Sequence, residues 1–318
     1  MNRKRSKISI IGAGRVGSTI AYTITISGLV SEIVIVDVDH DKAEGEAMDI
    51  MQGTAFSPSV NLHAGQYEDT ADSDIIIVTA GIGRMASQSR LELAQTNIDI
   101  LRDIIPKVVP YAPYAVYIIV SNPVDIMTYA TLKLSGLSNN QVIGSGTMLD
   151  TTRLRTGLAA HMGVNPHDVQ AFVLGEHGDT AVVPWSLTSI AGMSIEEYRE
   201  MASKQDKSLD KMDLDKIVND VLTAGAQVIE RKGATYYAIG LSVQRICEVI
   251  MRNSNSILTI SSLTHGQHGV DGVCLSLPYV IGANGIIHEI PIVLTPDEEK
   301  KLQHSADSLK SVLGSITF

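Results

Sequence analysis

Two cysteines in 318 residues, Cys247 and Cys274, are too few for a disulfide scaffold, and they lack the paired spacing of a metal site. They fit buried thiols in a reducing cytoplasm, with a single bridge between them as the alternative. Long apolar runs are missing as well. The most hydrophobic stretches have the length of buried strands, which excludes a transmembrane helix and makes a soluble protein the expectation. Positive charge is in deficit: 25 Lys+Arg against 35 Asp+Glu give a formal net charge of -10. Such a surface repels a phosphate backbone and excludes nucleic acid as an expected partner, so anionic ligands must meet locally placed cations. The opening MNRKRSK is basic, but no signal-like apolar segment follows it, and a solvated tail is expected. Repeats and low-complexity tracts are also absent.

What is present is an ordinary globular composition, 44% hydrophobic and 19% charged, in a chain long enough for two domains or one large α/β unit with an appended lobe. The first half alternates β-branched runs with helical patterns. KISIIGAG, a helix from Gly14 to Gly28, EIVIVDV and a helix from about Asp41 to Gln52 read as a βαβ unit, with the Met48 and Met51 pair as helix core. SDIIIVTAG, YAVYIIVSNP and VIGSG have the continuous apolar character of parallel strands covered on both faces. The pattern changes after Gly146. LDTTRLRTGLAAHMG reads as a helix, AFVLGEHGD as strand-like, and residues 214–231 and 236–252 as long helices. SILTISSL, VCLSLPYVIG and GIIHEIPI then read as an antiparallel meander, before a last helix opened by Pro296 and acidic residues. The expected fold is α/β: a doubly wound parallel Rossmann sheet over 1–146, followed by an α+β substrate domain over 147–318.

Gly12, Gly14 and Gly17 form G-x-G-x-x-G directly after a strand and at a helix start, where a tight turn and close backbone approach admit a pyrophosphate. Asp37 ends the second strand twenty residues after Gly17, at the spacing of a carboxylate that accepts hydrogen bonds from ribose hydroxyls. With Val38 and Asp39 following it, and no arginine there, NAD is expected rather than NADP.

Further along, Asp150 and Arg153 lie three apart on one helical face, and His177 follows in GEHGD. Carboxylate clamp, proton donor and charge stabiliser are what reduction of a 2-keto acid needs besides hydride. VSNPVDI, GTMLDTTRLR and GEHGD, together with the glycine fingerprint, resemble the L-lactate and malate dehydrogenase family over essentially the whole chain.

That resemblance implies that His177 exchanges a proton with the substrate oxygen, that Asp150 orients the imidazole and favours its charged form, and that Arg153 clamps the substrate carboxylate. It makes Arg90 the mobile arginine that polarises the carbonyl, Asn122 a contact of both cofactor and substrate, and Thr235 a substrate-pocket residue. Val16, Thr79, Ala80, Gly81, Val120 and Ser145 match cofactor neighbours. The other eight histidines, including the His265 and His268 pair, read as surface or structural, and no metal is expected.

Two features depart from the pattern. Arg84 stands where lactate enzymes usually place a neutral Gln; a cation there suits the second carboxylate of oxaloacetate. The wider setting of Thr235, GTMLDTTRLR and GEHGDTAVVPWS instead favours the lactate branch, so pyruvate is the expected substrate and oxaloacetate the alternative. The second departure is regulatory. Of the basic pair used by enzymes activated by fructose 1,6-bisphosphate, Arg155 is present but Gln170 replaces the histidine, and weak or absent activation is expected. The resemblance also implies a homotetramer or homodimer.

Overall fold

The structure is a computed structural model and describes residues 6–83, 90–204 and 212–318, with the backbone alone at residue 90. Six short parallel strands form its centre: β1 (Lys7–Ile11), β2 (Glu32–Val36), β3 (Asn61–Ala64), β4 (Ile75–Val78), β5 (Val116–Ile119) and β6 (Val142–Gly144). Their spatial order, β3-β2-β1-β4-β5-β6, is the doubly wound order of dinucleotide-binding sheets. Ile10 pairs with Ile35 on one side and Ile77 on the other, so the central strands are apolar on both faces. Helices α1 (Arg15–Ser27), α2 (His40–Gln52), α3 (Arg90–Val108) and α4 (Val124–Ser135) supply the connections and the covering layers, which is why these strands show no polar alternation. Chain direction around the sheet reverses at β1 and β4, and the crevice beyond their carboxyl ends is where such sheets bind ligands.

The second half begins with α5 (Met148–Met162), followed by a three-stranded sheet of β7 (Val169–Gln170), β8 (Ser189–Ile190) and β9 (Met193–Ser194). Helices α6 (Ile195–Ser203), α7 (Leu214–Lys232) and α8 (Tyr237–Arg252) come next, then β10 (Ser256–His265), β11 (Asp271–Gly282), β12 (Gly285–Glu289) and α9 (Pro296–Leu313). The last three strands form the expected meander, and they also join the parallel sheet, because Ser261 of β10 pairs antiparallel with Gly144 of β6. One nine-stranded sheet therefore runs through both halves. The turn out of β6 passes so close to this junction that a Cβ on Gly146 (φ 52°) would meet the Ser261 amide at 2.6 Å. A smaller apolar cluster around Leu154, Leu158, Val169, Ile195 and Ile217 forms a second core.

Local chemistry sets the helix limits. Asp39 caps α2 by accepting from the Lys42 amide, Asp213 caps α7, and Thr295 with Glu298 makes a capping box on α9. Cys247 and Cys274 are free and buried. No described helix is long and apolar enough to cross a membrane.

Two local expectations are corrected. AFVLGEHGD is not a strand: Ala171 to Val173 are outside any ladder, and only single bridges, Leu174 to Val182 and Gly175 to Ser276, follow. Side chains do the work of a ladder there, since Val173 donates to Thr151 Oγ1 at 2.9 Å and its carbonyl accepts from Thr147 Oγ1 at 2.5 Å. Met48 is not helix core. It is 55% exposed while Met51 is partly buried against the core, because α2 rests on the sheet through Ala43 and Ala47 and turns Met48 outward.

Candidate active site

The glycine turn between β1 and α1 is built for close approach. Gly12 takes φ 113°, and a Cβ there would meet Thr79 Oγ1 at 2.7 Å and the Ala80 amide at 2.8 Å, whereas nothing lies within 4 Å of a Cβ on Gly14. Gly17 is buried where a Cβ would strike the Gly12 carbonyl. No side chain caps α1 at Gly14, which leaves its first-turn amides to a bound anion. At the end of β2, Asp37 is fixed by two backbone amides, Ala13 donating to Oδ2 at 2.5 Å and Asp39 to Oδ1 at 3.0 Å. Gly12, Gly14, Asp37, Thr79, Ala80 and Gly81 line one cleft of about 910 Å³. An open Gly14, uncapped amides and a rigid carboxylate at the far end fit a dinucleotide.

A second cleft, of about 310 Å³, brings together residues far apart in sequence: Asn122, Asp150, Arg153, His177 and Thr235. Val16, Val120 and Ser145 line the same space, and Leu222, Ile229 and Ile239 add apolar wall. Asp150 and Arg153 come from the first turns of α5, and Asn122 precedes α4 through a cis bond to Pro123. His177 Nδ1 donates to Asp150 Oδ2 at 2.5 Å, while Arg153 Nη1 donates to the other oxygen, Oδ1, at 2.8 Å. That bond fixes the proton on Nδ1 of the neutral ring and leaves Nε2 to exchange one with a ligand.

The segment bearing His177 is held on several sides. Its backbone N–H donates to Asp125 Oδ2 at 2.8 Å, the Glu176 amide donates to Ser305 Oγ on α9 at 2.8 Å, and Thr180 Oγ1 donates to Glu176 Oε2 at 2.5 Å. The imidazole keeps 28% of its side-chain surface open. Burial lowers its pKa, but the Asp150 carboxylate, aided by Asp125, outweighs burial and the opposing Arg153 charge, so the net shift is upward. For Asp150, burial pushes upward, yet the His177 and Arg153 charges and hydrogen bonds hold it below the usual carboxylate range.

Other residues named from the sequence are elsewhere. Arg84 lies outside the described residues; Arg90 begins α3, and its side chain lies outside them as well. Arg155 and Gln170 line neither cleft. Arg155 Nε donates to the Ala171 carbonyl at 3.0 Å and its guanidinium sits 5.8 Å from the Phe172 ring centroid, next to an exposed Gln170.

Two neighbours had no separate reading in the sequence. Asn97, buried on α3, donates to the Asn122 carbonyl at 2.7 Å and accepts from the Ile82 amide at 2.8 Å, tying the walls of the two clefts together. A polar residue on the apolar face of α3 was its one available signal. Asp125 gave none, because a carboxylate in a first helical turn is the ordinary partner of the helix dipole.

A doubly wound sheet with an uncapped glycine turn, and beside it a His–Asp–Arg cleft, define a dinucleotide-binding protein equipped for proton transfer on an anionic ligand. The chain belongs to the lactate/malate dehydrogenase family: its NAD binding domain matches residues 6–144 and its alpha/beta C-terminal domain residues 147–317. It is 49% identical over 315 residues to L-lactate dehydrogenase 1 of Clostridium acetobutylicum, covering 99% of both chains. To L-lactate dehydrogenase of Thermoanaerobacter sp. it is 46% identical over 311 residues, covering 98% of this chain and 99% of that one. Among solved structures, minor L-lactate dehydrogenase from Enterococcus mundtii in a ligands-bound form superposes with a TM-score of 0.94 at 37% identity, covering 99% of this chain and 100% of that one.

Proposed function

We propose that the chain is an NAD-dependent L-lactate dehydrogenase interconverting pyruvate and L-lactate, with residues 1–146 as the cofactor domain and 147–318 as the substrate domain. The observation that carries this reading is the shared carboxylate of Asp150, which bonds His177 through one oxygen and Arg153 through the other in a cleft that Val16, Val120, Asn122 and Ser145 also line. When bound, the cofactor supplies the hydride. Asp37 and the glycine turn hold its adenosine and pyrophosphate ends, and Asn122 with Val16, Val120 and Ser145 borders its reactive end. Arg153 receives the substrate carboxylate in two parallel charge-assisted hydrogen bonds. His177, whose charged form Asp150 favours, donates the proton from Nε2 to the keto oxygen and takes it back in the reverse direction. Thr235 and the apolar wall leave room for a methyl group. Arg90 enters the proposal from sequence as the group that polarises the carbonyl.

Arg84 supports a second reading, oxaloacetate, since a second carboxylate needs a cation. The deciding measurement is kcat/KM for pyruvate and for oxaloacetate with NADH in one preparation. We expect the pyruvate value to be higher, and Arg84→Gln to lower the oxaloacetate value further while changing the pyruvate value less. A higher value for oxaloacetate in the unmodified enzyme reverses the substrate assignment. An unchanged ratio in Arg84→Gln removes Arg84 from the site.

The oligomer expected from the family is supported by a groove between α1, α2 and α8, lined by exposed Tyr22, Tyr237 and Leu241 with Ile50, an apolar surface that a second copy would cover. An exposed Gln170 in place of a histidine near Arg155 supports weak or absent activation by fructose 1,6-bisphosphate. Sedimentation and pyruvate kinetics with and without the sugar bisphosphate test both points. The expected result is an oligomer whose size and KM do not respond; a monomer, or a large fall in KM, contradicts the respective reading. Two buried thiols support a cytoplasmic setting.

A further inference from the structure

Asp125 carries chemistry that the proton-transfer pair leaves unused. It sits in the first turn of α4, is 2% exposed, and spends one oxygen, Oδ2, on the backbone N–H of His177, 52 residues away in the other half of the chain. Its other oxygen, Oδ1, has no hydrogen-bond partner among the described residues. A buried carboxylate with an unsatisfied oxygen is costly, and an amide or apolar residue would remove the charge from this position.

The surroundings do little to neutralise it. Ser261 Oγ on β10 is near enough to favour the ionised form, but without the geometry of a hydrogen bond, and it too has no partner among the described residues. The titratable groups facing Asp125 are His177 and Glu176 on the loop and the buried Cys274 on β11; Asp150 and Arg153 of α5 face it through His177. Burial pushes the Asp125 carboxyl up to about 6, with the Ser261 hydroxyl and the His177 amide and charge pulling down and Glu176 pushing up. Above that pH the carboxylate is ionised and favours a charged imidazole.

We propose that Asp125 is a positioning residue for His177: its carboxylate grips the His177 amide from α4 while Asp150 grips the ring from α5, so that two helices from the two halves of the chain fix one proton-transfer group. The proposal rests on the assignment of His177 above. Without Asp125 the loop keeps Ser305 and Asp150 but loses an anchor that belongs to the cofactor half.

The test uses Asp125→Asn, whose amide oxygen still accepts from the His177 N–H but carries no charge, and Asp125→Ala, which removes both. Two quantities are read: the titration midpoint of the His177 ring by 15N NMR without substrate, and the pH profile of kcat/KM for pyruvate. For Asp125→Asn the midpoint should fall by about half a pH unit, leaving the low-pH plateau intact and lowering kcat/KM about threefold above the midpoint. For Asp125→Ala the plateau itself should drop by about tenfold, through kcat more than KM. Wild-type midpoint and plateau in both variants overturn the proposal. If Asp125→Ala does not fold, the midpoint in Asp125→Asn decides alone, an unchanged value overturning the proposal. Failure of the underlying assignment is distinguishable, because it appears as activity surviving in His177→Ala, whereas the ring titration reports the Asp125 coupling without reference to activity.

Discussion

Replacing His177 by alanine is expected to lower kcat for pyruvate reduction by about 10²- to 10⁴-fold, the range that a positioned proton donor contributes, with NADH binding retained. Retention follows from the contacts assigned to the adenosine and pyrophosphate ends, since Gly12, Asp37 and Thr79 line a cleft that His177 does not. Stopped-flow reduction and a fluorescence titration of NADH check the two halves of the statement; undiminished turnover removes His177 from the chemistry. The pH profile follows from the same pair. The folded-state pKa of His177 is raised, chiefly by Asp150 working against burial, so the protonated ring that the proposed mechanism uses for reduction persists above the ordinary histidine value near 6.5. Reduction should be flat below the raised midpoint and fall about tenfold per pH unit above it, while lactate oxidation, which needs the neutral ring, rises over the same interval. Stability has matching signs. The His177 contribution is fully present below the ordinary histidine value and is lost as pH rises through the raised one; the Asp150 contribution, with a lowered pKa, is present above the ordinary carboxylate range and is lost on acidification through the lowered value.

Arg153→Lys is expected to lower kcat/KM for pyruvate by about 10²- to 10³-fold although the charge is conserved. The Arg153 side chain is 19% exposed and already commits Nη1 to Asp150 Oδ1 at 2.8 Å, so a planar group is needed to bond Asp150 and still present paired donors to a ligand. An ammonium on a flexible stem offers no parallel pair. Loss of one to two charge-assisted hydrogen bonds, at about 1.5–3 kcal/mol each, accounts for the range. Most of the effect should fall on KM, with NADH affinity unchanged. Wild-type KM in Arg153→Lys would mean that another cation takes the carboxylate.

Much of this protein was legible in its residues because the relevant signals are local. KISIIGAG, EIVIVDV and SDIIIVTAG announce buried parallel strands by having no polar alternation, and β1, β2 and β4 occupy those segments. The antiparallel meander and the α9 start at Pro296 are similarly local, written in β-branched runs and a capping sequence. AFVLGEHGD misled for the opposite reason. Its composition suits a strand, but tertiary hydrogen bonds from Thr147 and Thr151 take the backbone groups that a ladder would have used. Met48 misled because helical periodicity marks which residues share a face without saying which face meets the sheet.

For the site, the sequence by itself determined the residue types and their order: a glycine turn, an acidic strand end, an Asp and an Arg three apart on one helix, and a histidine in GEHGD. These follow from backbone sterics and short-range spacing, which are present in any window of a few residues. Only the tertiary structure decided that Asp150 divides its two oxygens between His177 and Arg153, that Asn97 ties Ile82 to Asn122, and that β10 joins β6 to make one sheet of the two halves. It alone revealed Asp125 against the His177 amide, across 52 residues. Such contacts depend on how elements pack. A carboxylate's burial, its partners and hence its pKa are properties of that packing, on which the linear pattern is silent.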